Sequence, residues 1–216
     1  MNHVVLLGDS IFDNAVYVPD GRAVIEHLRA CLPDGWQATL LAVDGSVLRH
    51  VPEQLDRLPA DATHIVVSVG GNDVLGHSDI VYQQYQQAGS VVNIVSRLIE
   101  IRSGFQRSYR EMLEAVVAHG LPVAVCTIYD QSPFPSPELQ PVAAVALSVF
   151  NDIITREAAR FRVPVLDLRL VCDEATDYST VSPIEPSAAG GAKIAAGIAR
   201  IVLEHDFRRG ETVLFG

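Results

Sequence analysis

The chain has 216 residues, 49% of them hydrophobic and 19% charged, and a formal net charge of −10. This length suits one domain over residues 1–216, with a core large enough to need neither disulfide nor metal. The negative charge works against binding to nucleic-acid backbones and to anionic membrane surfaces, leaving a small molecule as the expected partner.

In chain order, the first apolar run is "HVVLLGD", followed by "GRAVIEHLRACL", which places Val24, Ile25, Leu28 and Leu32 on one helical face. "WQATLLAV" and "HIVVSV" read as the second and third strands. "GHSDIVYQQYQQAGSVVNIVSRLIEIRSG" then runs too long for a simple connection and reads as an excursion over the surface. "FQRSYREMLEAVVAHG" predicts a helix with Tyr109, Met112, Leu113 and Val116 facing inward and a glycine suited to its end. "LPVAVCTIY" is the fourth strand, and "DQSPFPSPELQP" a proline-rich loop. A helix over "VAAVALSVFNDIITREAARF", a fifth strand at "VPVLDL" and a helix over "SAAGGAKIAAGIARIVLEH" complete the set; the tail "RRGETVLFG" is apolar but unplaced. The strands are nearly continuous in apolar residues, as expected when both faces are covered. Alternation of such strands with helices predicts a five-stranded parallel sheet with helices on both sides.

Cys31, Cys126 and Cys172 are widely spaced and read as three buried, reduced thiols, and no metal-ligand cluster is visible. The opening "MNHVVLLGDS" has no basic segment, and no apolar run approaches the roughly 18 residues that span a bilayer. The expectation is a cytoplasmic protein without a cofactor.

In open α/β sheets the ligand crevice lies at the carboxyl ends of the strands. Asp9 and Ser10 follow the first strand, Gly45 the second, Asn72 and Asp73 the third, and Asp130 the fourth. Each has a plain reading: Ser10 as a helix cap, Gly45 as a positive-φ turn residue, "GGND" as turn chemistry. Together they form a different pattern. A serine on a strand-to-helix turn, a glycine N–H and an asparagine amide supply a nucleophile with oxyanion donors.

"GDSIFDN", then Gly45, then "GGND" resemble the first three blocks of the SGNH (GDSL-type) hydrolases, in order and over nearly the whole chain. The resemblance implies a three-layer α/β/α, flavodoxin-like sandwich and hydrolysis of ester or related acyl bonds. It implies Ser10 as nucleophile, with an oxyanion hole from the Ser10 and Gly45 N–H groups and the Asn72 side chain. Asp13 or Asn14 is a candidate brace for the Ser10 turn.

The family's last block, DxxH before the final helix, supplies the base and the group that orients it. Here the segment is "SPIEPSAAGGAKIA": Ser182 stands at the Asp position and Glu185 at the His position. Among the seven histidines, His3 lies roughly 23 Å of extended chain before Ser10, and His205 lies some 30 Å of helix beyond Glu185. Only His50 and His77 follow strand ends closely enough to stand in. A Glu near pH 4.3 is a weaker base than His. A dry pocket raises its pKa, whereas a helix N-terminus lowers it. A Glu that takes a proton becomes neutral and needs no counter-ion, so Ser182 in place of Asp removes a repulsion rather than a function. The plain alternative for Glu185 is a cap on the last helix or a partner for an arginine.

Three expectations follow. The first is an esterase or acylhydrolase with Ser10 as nucleophile and Glu185 as base, with Asp9, Asp73 and Ser182 as supports. The second is a catalytically impaired relative that binds an acyl or glycan ligand. The third recruits His77 or His50. Neither the substrate nor the oligomeric state is legible.

Overall fold

A computed structural model describes residues 2–77, 91–131 and 140–216. Six parallel strands form one sheet in the order β2-β1-β3-β4-β5-β6. They are β1 (Asn2–Gly8), β2 (Trp36–Leu40), β3 (His64–Ser68), β4 (Val123–Cys126), β5 (Val165–Leu166) and β6 (Leu214–Phe215). Seven α-helices are described: α1 (Val24–Cys31), α2 (Val51–Leu55), α3 (Gly71–Leu75), α4 (Val91–Val117), α5 (Gln140–Phe161), α6 (Leu168–Val171) and α7 (Ala188–Glu204).

The three-layer α/β/α arrangement is as expected from sequence. Side chains alternate across each strand, so β1 sends Val4 and Leu6 to one face and Val5 and Leu7 to the other. On the first face they pack with Val24 and Leu28 of α1 and Ile194 and Ile198 of α7. On the second they pack with α2, α4 and α5 through Val51, Leu113 and Ile154. Each fully buried Leu, Ile or Val contributes roughly 1.5–3 kcal/mol, so β1 is held from both sides.

Three expectations need correction. The sheet has six strands, because Leu214 and Phe215 in the unplaced tail pair with Val165 and Leu166. Part of the expected 76–104 excursion is helix: α4 begins at Val91, fourteen residues before the predicted start at Phe105. Residues 78–90 of that stretch, and 132–139 of the proline-rich loop, lie outside the described residues. Cys126 and Cys172 are buried and free as expected, but Cys31, the last residue of α1, is exposed. No helix among the described residues is long and apolar enough to cross a membrane.

Candidate active site

The strands β1, β2 and β3 end almost level, and their backbones lock there. The Asp9 N–H donates to the Ser68 carbonyl (3.0 Å) and the Val43 N–H to the Gly8 carbonyl (3.1 Å). Gly8 lies so close to β3 that a Cβ would stand 1.8 Å from the Ser68 oxygen, and its φ is +126°. No other residue type fits there. The chain therefore leaves β1 in a fixed direction, and Ser10 follows two residues later.

The turn is capped by Asp9 rather than Ser10. Its carboxylate accepts the Ile11 N–H (3.1 Å), and its carbonyl accepts the N–H groups of Phe12 and Asp13. The Ser10 hydroxyl is thereby released and donates to Glu185 Oε1 at 3.0 Å. Ser10 and Glu185 are each 5% exposed. Glu185 Oε2 is buried without a hydrogen-bond partner among the described residues. Burial pushes the Glu185 carboxyl from 4.5 to about 7; the Ser10 hydrogen bond opposes this and the nearby Asp44 charge adds to it. The competition left open by the sequence is thus decided by burial.

Neither plain reading of Glu185 holds. Ser187 caps α7, accepting from the N–H groups of Ala189 and Gly190, and no arginine pairs with Glu185 among the described residues. The segment carrying Glu185 is pinned on three successive carbonyls. Ile184 accepts from the Tyr129 hydroxyl (2.6 Å), Glu185 from the Ser179 N–H (2.8 Å), and Pro186 from the Asn14 side chain (3.2 Å). Asn14 also accepts the Val24 N–H at the start of α1 (2.9 Å), so it ties the Ser10 turn to the Glu185 segment. Ser182 takes part through its carbonyl, which accepts the Glu185 N–H (3.1 Å).

Gly45 has φ +75° and open space around it, which suits a turn that presents its N–H. Neither the Ser10 nor the Gly45 N–H has a hydrogen-bond partner among the described residues. The Asn72 amide donates to the Ser46 carbonyl (2.9 Å), and Asp73 accepts the Leu48 N–H (3.1 Å). The start of α3 therefore grips the loop that carries Gly45. Asp13 accepts the Asp44 N–H in the same loop (3.0 Å). The cleft beside this loop is lined by Asp44, Gly45, Ser46, His50 and Gln54 and stops short of Ser10.

The remaining candidates fall into place around this pair. Asp9 is buried, which lifts its carboxyl to about 8 against the Ile11 hydrogen bond, with Glu185 and Asp73 adding to the rise. Asp73 is also raised, chiefly by burial. No imidazole hydrogen-bonds Ser10 among the described residues. His50 turns back to accept the Val47 N–H of its own loop (3.2 Å), and His77 is exposed just past α3. The two substitutes considered from sequence therefore do not meet the hydroxyl. Among the described residues, Asp130 accepts a side-chain hydrogen bond only from its neighbour Gln131 (3.4 Å). Gln54 and Tyr129 were not singled out from sequence. The available signal was a glutamine on the apolar face of "VPEQL".

A parallel sheet with helices on both faces here carries, beyond the end of a central strand, a serine hydroxyl hydrogen-bonded to a buried carboxyl. Residues 6–193 match the model of the GDSL-like lipase/acylhydrolase family. The chain belongs to that family. No curated protein matches it. Among solved structures it resembles an extracellular lipase from Streptomyces rimosus, with 17% identity, 94% of this chain and 98% of that one covered, and a TM-score of 0.66. It also resembles an aryl esterase from M. smegmatis (14%, 94% and 98%, 0.63). A third is an acetyl xylan esterase from Geobacillus stearothermophilus (14%, 95% and 96%, 0.63). At these identities the likeness is one of fold.

Proposed function

We propose that this protein hydrolyses acyl esters with Ser10 as nucleophile and Glu185, in place of an imidazole, as the base. The observation that carries this reading is the 3.0 Å hydrogen bond from the Ser10 hydroxyl to Glu185 Oε1. A general base must lie within hydrogen-bond reach of its proton and have a pKa near the working pH, and a carboxyl lifted to about 7 has both properties.

The steps balance as follows. The Ser10 oxygen attacks the ester carbonyl carbon while its proton passes to Glu185 Oε1. The carbonyl oxygen becomes an oxyanion, held by the N–H groups of Ser10 and Gly45 and by the Asn72 amide. Glu185 returns the proton to the departing alkoxide, the alcohol leaves, and Ser10 carries the acyl group. Water then attacks this ester, giving its proton to Glu185. Collapse of the second tetrahedral intermediate breaks the acyl–Ser10 bond and releases the acid, and Glu185 returns the proton to the Ser10 oxygen. Ser182 serves through the turn that presents Glu185, and Asp9 and Asp73 hold the two loops that face the oxyanion.

The test is turnover of p-nitrophenyl acetate together with labelling by a fluorophosphonate. Ser10→Ala should abolish both. Glu185→Gln should lower kcat by roughly 10²- to 10⁴-fold, the usual contribution of a general base. Wild-type protein that neither labels nor exceeds the Ser10→Ala background would instead be a ligand-binding relative. Full activity in Glu185→Gln would remove the carboxylate from the mechanism.

A further inference from the structure

Helix α2 starts one turn after the Gly45 loop, and its inner face presents Val51, Gln54 and Leu55, all buried. Gln54 is only 2% exposed. A carboxamide at a core position is costly unless its hydrogen bonds are made, and here they are made in two directions. Gln54 Oε1 accepts the Gly8 N–H (2.7 Å). Its Nε2 donates to the Gly8 carbonyl (2.8 Å) and to Ser46 Oγ (3.3 Å).

The strand register explains the first pair. β1 and β2 pair only as far as Leu6 and Leu40. Beyond that point the chain turns away toward Gly45: the Val43 N–H still reaches the Gly8 carbonyl (3.1 Å), whereas the Gly8 N–H is taken by Gln54. The Gln54 carboxamide has the donor and acceptor of a peptide group: it receives the Gly8 N–H that the strand no longer pairs, and shares the Gly8 carbonyl with the Val43 N–H. The second direction reaches the other half of the site. Ser46 follows Gly45, and its carbonyl also receives the Asn72 amide (2.9 Å). One side chain therefore touches the strand that leads to the nucleophile and the residue on which the oxyanion donors converge.

We infer that Gln54 is a positioning residue that fixes the distance between the Ser10 turn and the Gly45–Asn72 donors. The inference rests on the reading of Ser10, Gly45 and Asn72 given above. Gln54 touches no reacting atom. It acts on the fit of the site to the tetrahedral state, where displacement of about 1 Å can cost on the order of 100-fold in rate.

Gln54→Met keeps the volume and removes all three hydrogen bonds. With p-nitrophenyl acetate its kcat should fall by about tenfold or more while KM stays within about twofold. The Ki of phenylboronic acid, which forms a tetrahedral adduct with serine, should rise by the factor that kcat/KM falls. A strand patch with no catalytic consequence would lower Tm and leave kcat and Ki alone. Glu157→Gln is the reference for lost stability: Glu157 is a buried carboxylate held by Gln106 and Arg110 between α4 and α5, away from the rim. Its Tm should fall with kcat unchanged. If kcat of Gln54→Met stays within about threefold of wild type, the inference is overturned. If that variant does not fold, Ser46→Ala removes only the Oγ end of the link. A threefold or larger loss of kcat there supports the inference and no loss overturns it. Ser10→Ala turning over the ester as fast as wild type would instead overturn the reading of the site on which the inference stands.

Discussion

An imidazole that accepts a proton becomes a cation and calls for a counter-charge, whereas a carboxylate that accepts one becomes neutral. Around Ser10, Glu185 is buried, one of its oxygens has no partner among the described residues, and Ser182, at the expected Asp position, contributes a backbone carbonyl. In the proposed mechanism Glu185 accepts a proton only when ionised. The value of kcat/KM should therefore fall about tenfold per pH unit below about 7 and level off above it, with Asp9 ionisation near 8 modulating the upper limb. Stability has the opposite pH dependence. Unfolded, Glu185 titrates near 4.5; folded, near 7. Between those values the folded chain keeps a proton that the unfolded chain has released, so this residue's contribution declines as pH rises through the window. Glu185→Gln should thus show a higher Tm than wild type at pH 8 and a difference shrinking toward zero at pH 4, measured by thermal denaturation. Glu185→His alone should not restore a fast enzyme, because nothing at position 182 would orient or balance the ring. Ser182→Asp should be required with it, and a tenfold gain from the single change would contradict the paired-replacement argument.

At the scale of elements, the Glu185 segment is an irregular loop made rigid by its neighbours. The Tyr129 hydroxyl holds the Ile184 carbonyl, and its ring packs edge-on against Tyr178 at 4.9 Å between centroids. Tyr178 in turn bridges Pro186. Tyr129→Phe removes the hydroxyl from the part-buried Ile184 carbonyl, a loss of about 0.5–1.5 kcal/mol. It should lower Tm and reduce kcat several-fold, with the apparent pKa of the rate profile displaced from that of wild type. These elements differed in how far they could be read from sequence. The four longer strands stood out because their β-branched runs are continuous. β6 did not, since two residues at a sheet edge leave no period to detect. The first half of α4 is masked by the glutamine- and glycine-containing stretch before it. Ser10, Gly45 and Asn72 could be picked out because each follows a strand end, and Glu185 because it stands where the resemblance to the family places a histidine. Gln54 and Tyr129 could not, because their parts are set by where β2 diverges and where the last loop returns, and neither shows in local pattern.

For the whole molecule, a net charge of −10 sets up a field that repels anions at low ionic strength. Hydrolysis of a negatively charged ester, such as a succinyl monoester, should speed up as salt rises from 20 to 200 mM, roughly the range over which screening sets in. A neutral ester of the same alcohol should show little change; equal salt responses would argue against any long-range steering. The strand that leads to Ser10 runs through both hydrophobic clusters, with Val4, Leu6, Val5 and Leu7 fully buried on its two faces. It cannot loosen while either layer of helices stays in place. Heat should therefore leave Ser10 in place until the entire fold gives way, so that residual activity and circular dichroism decay at one temperature, with no prior stage of folded but inert protein.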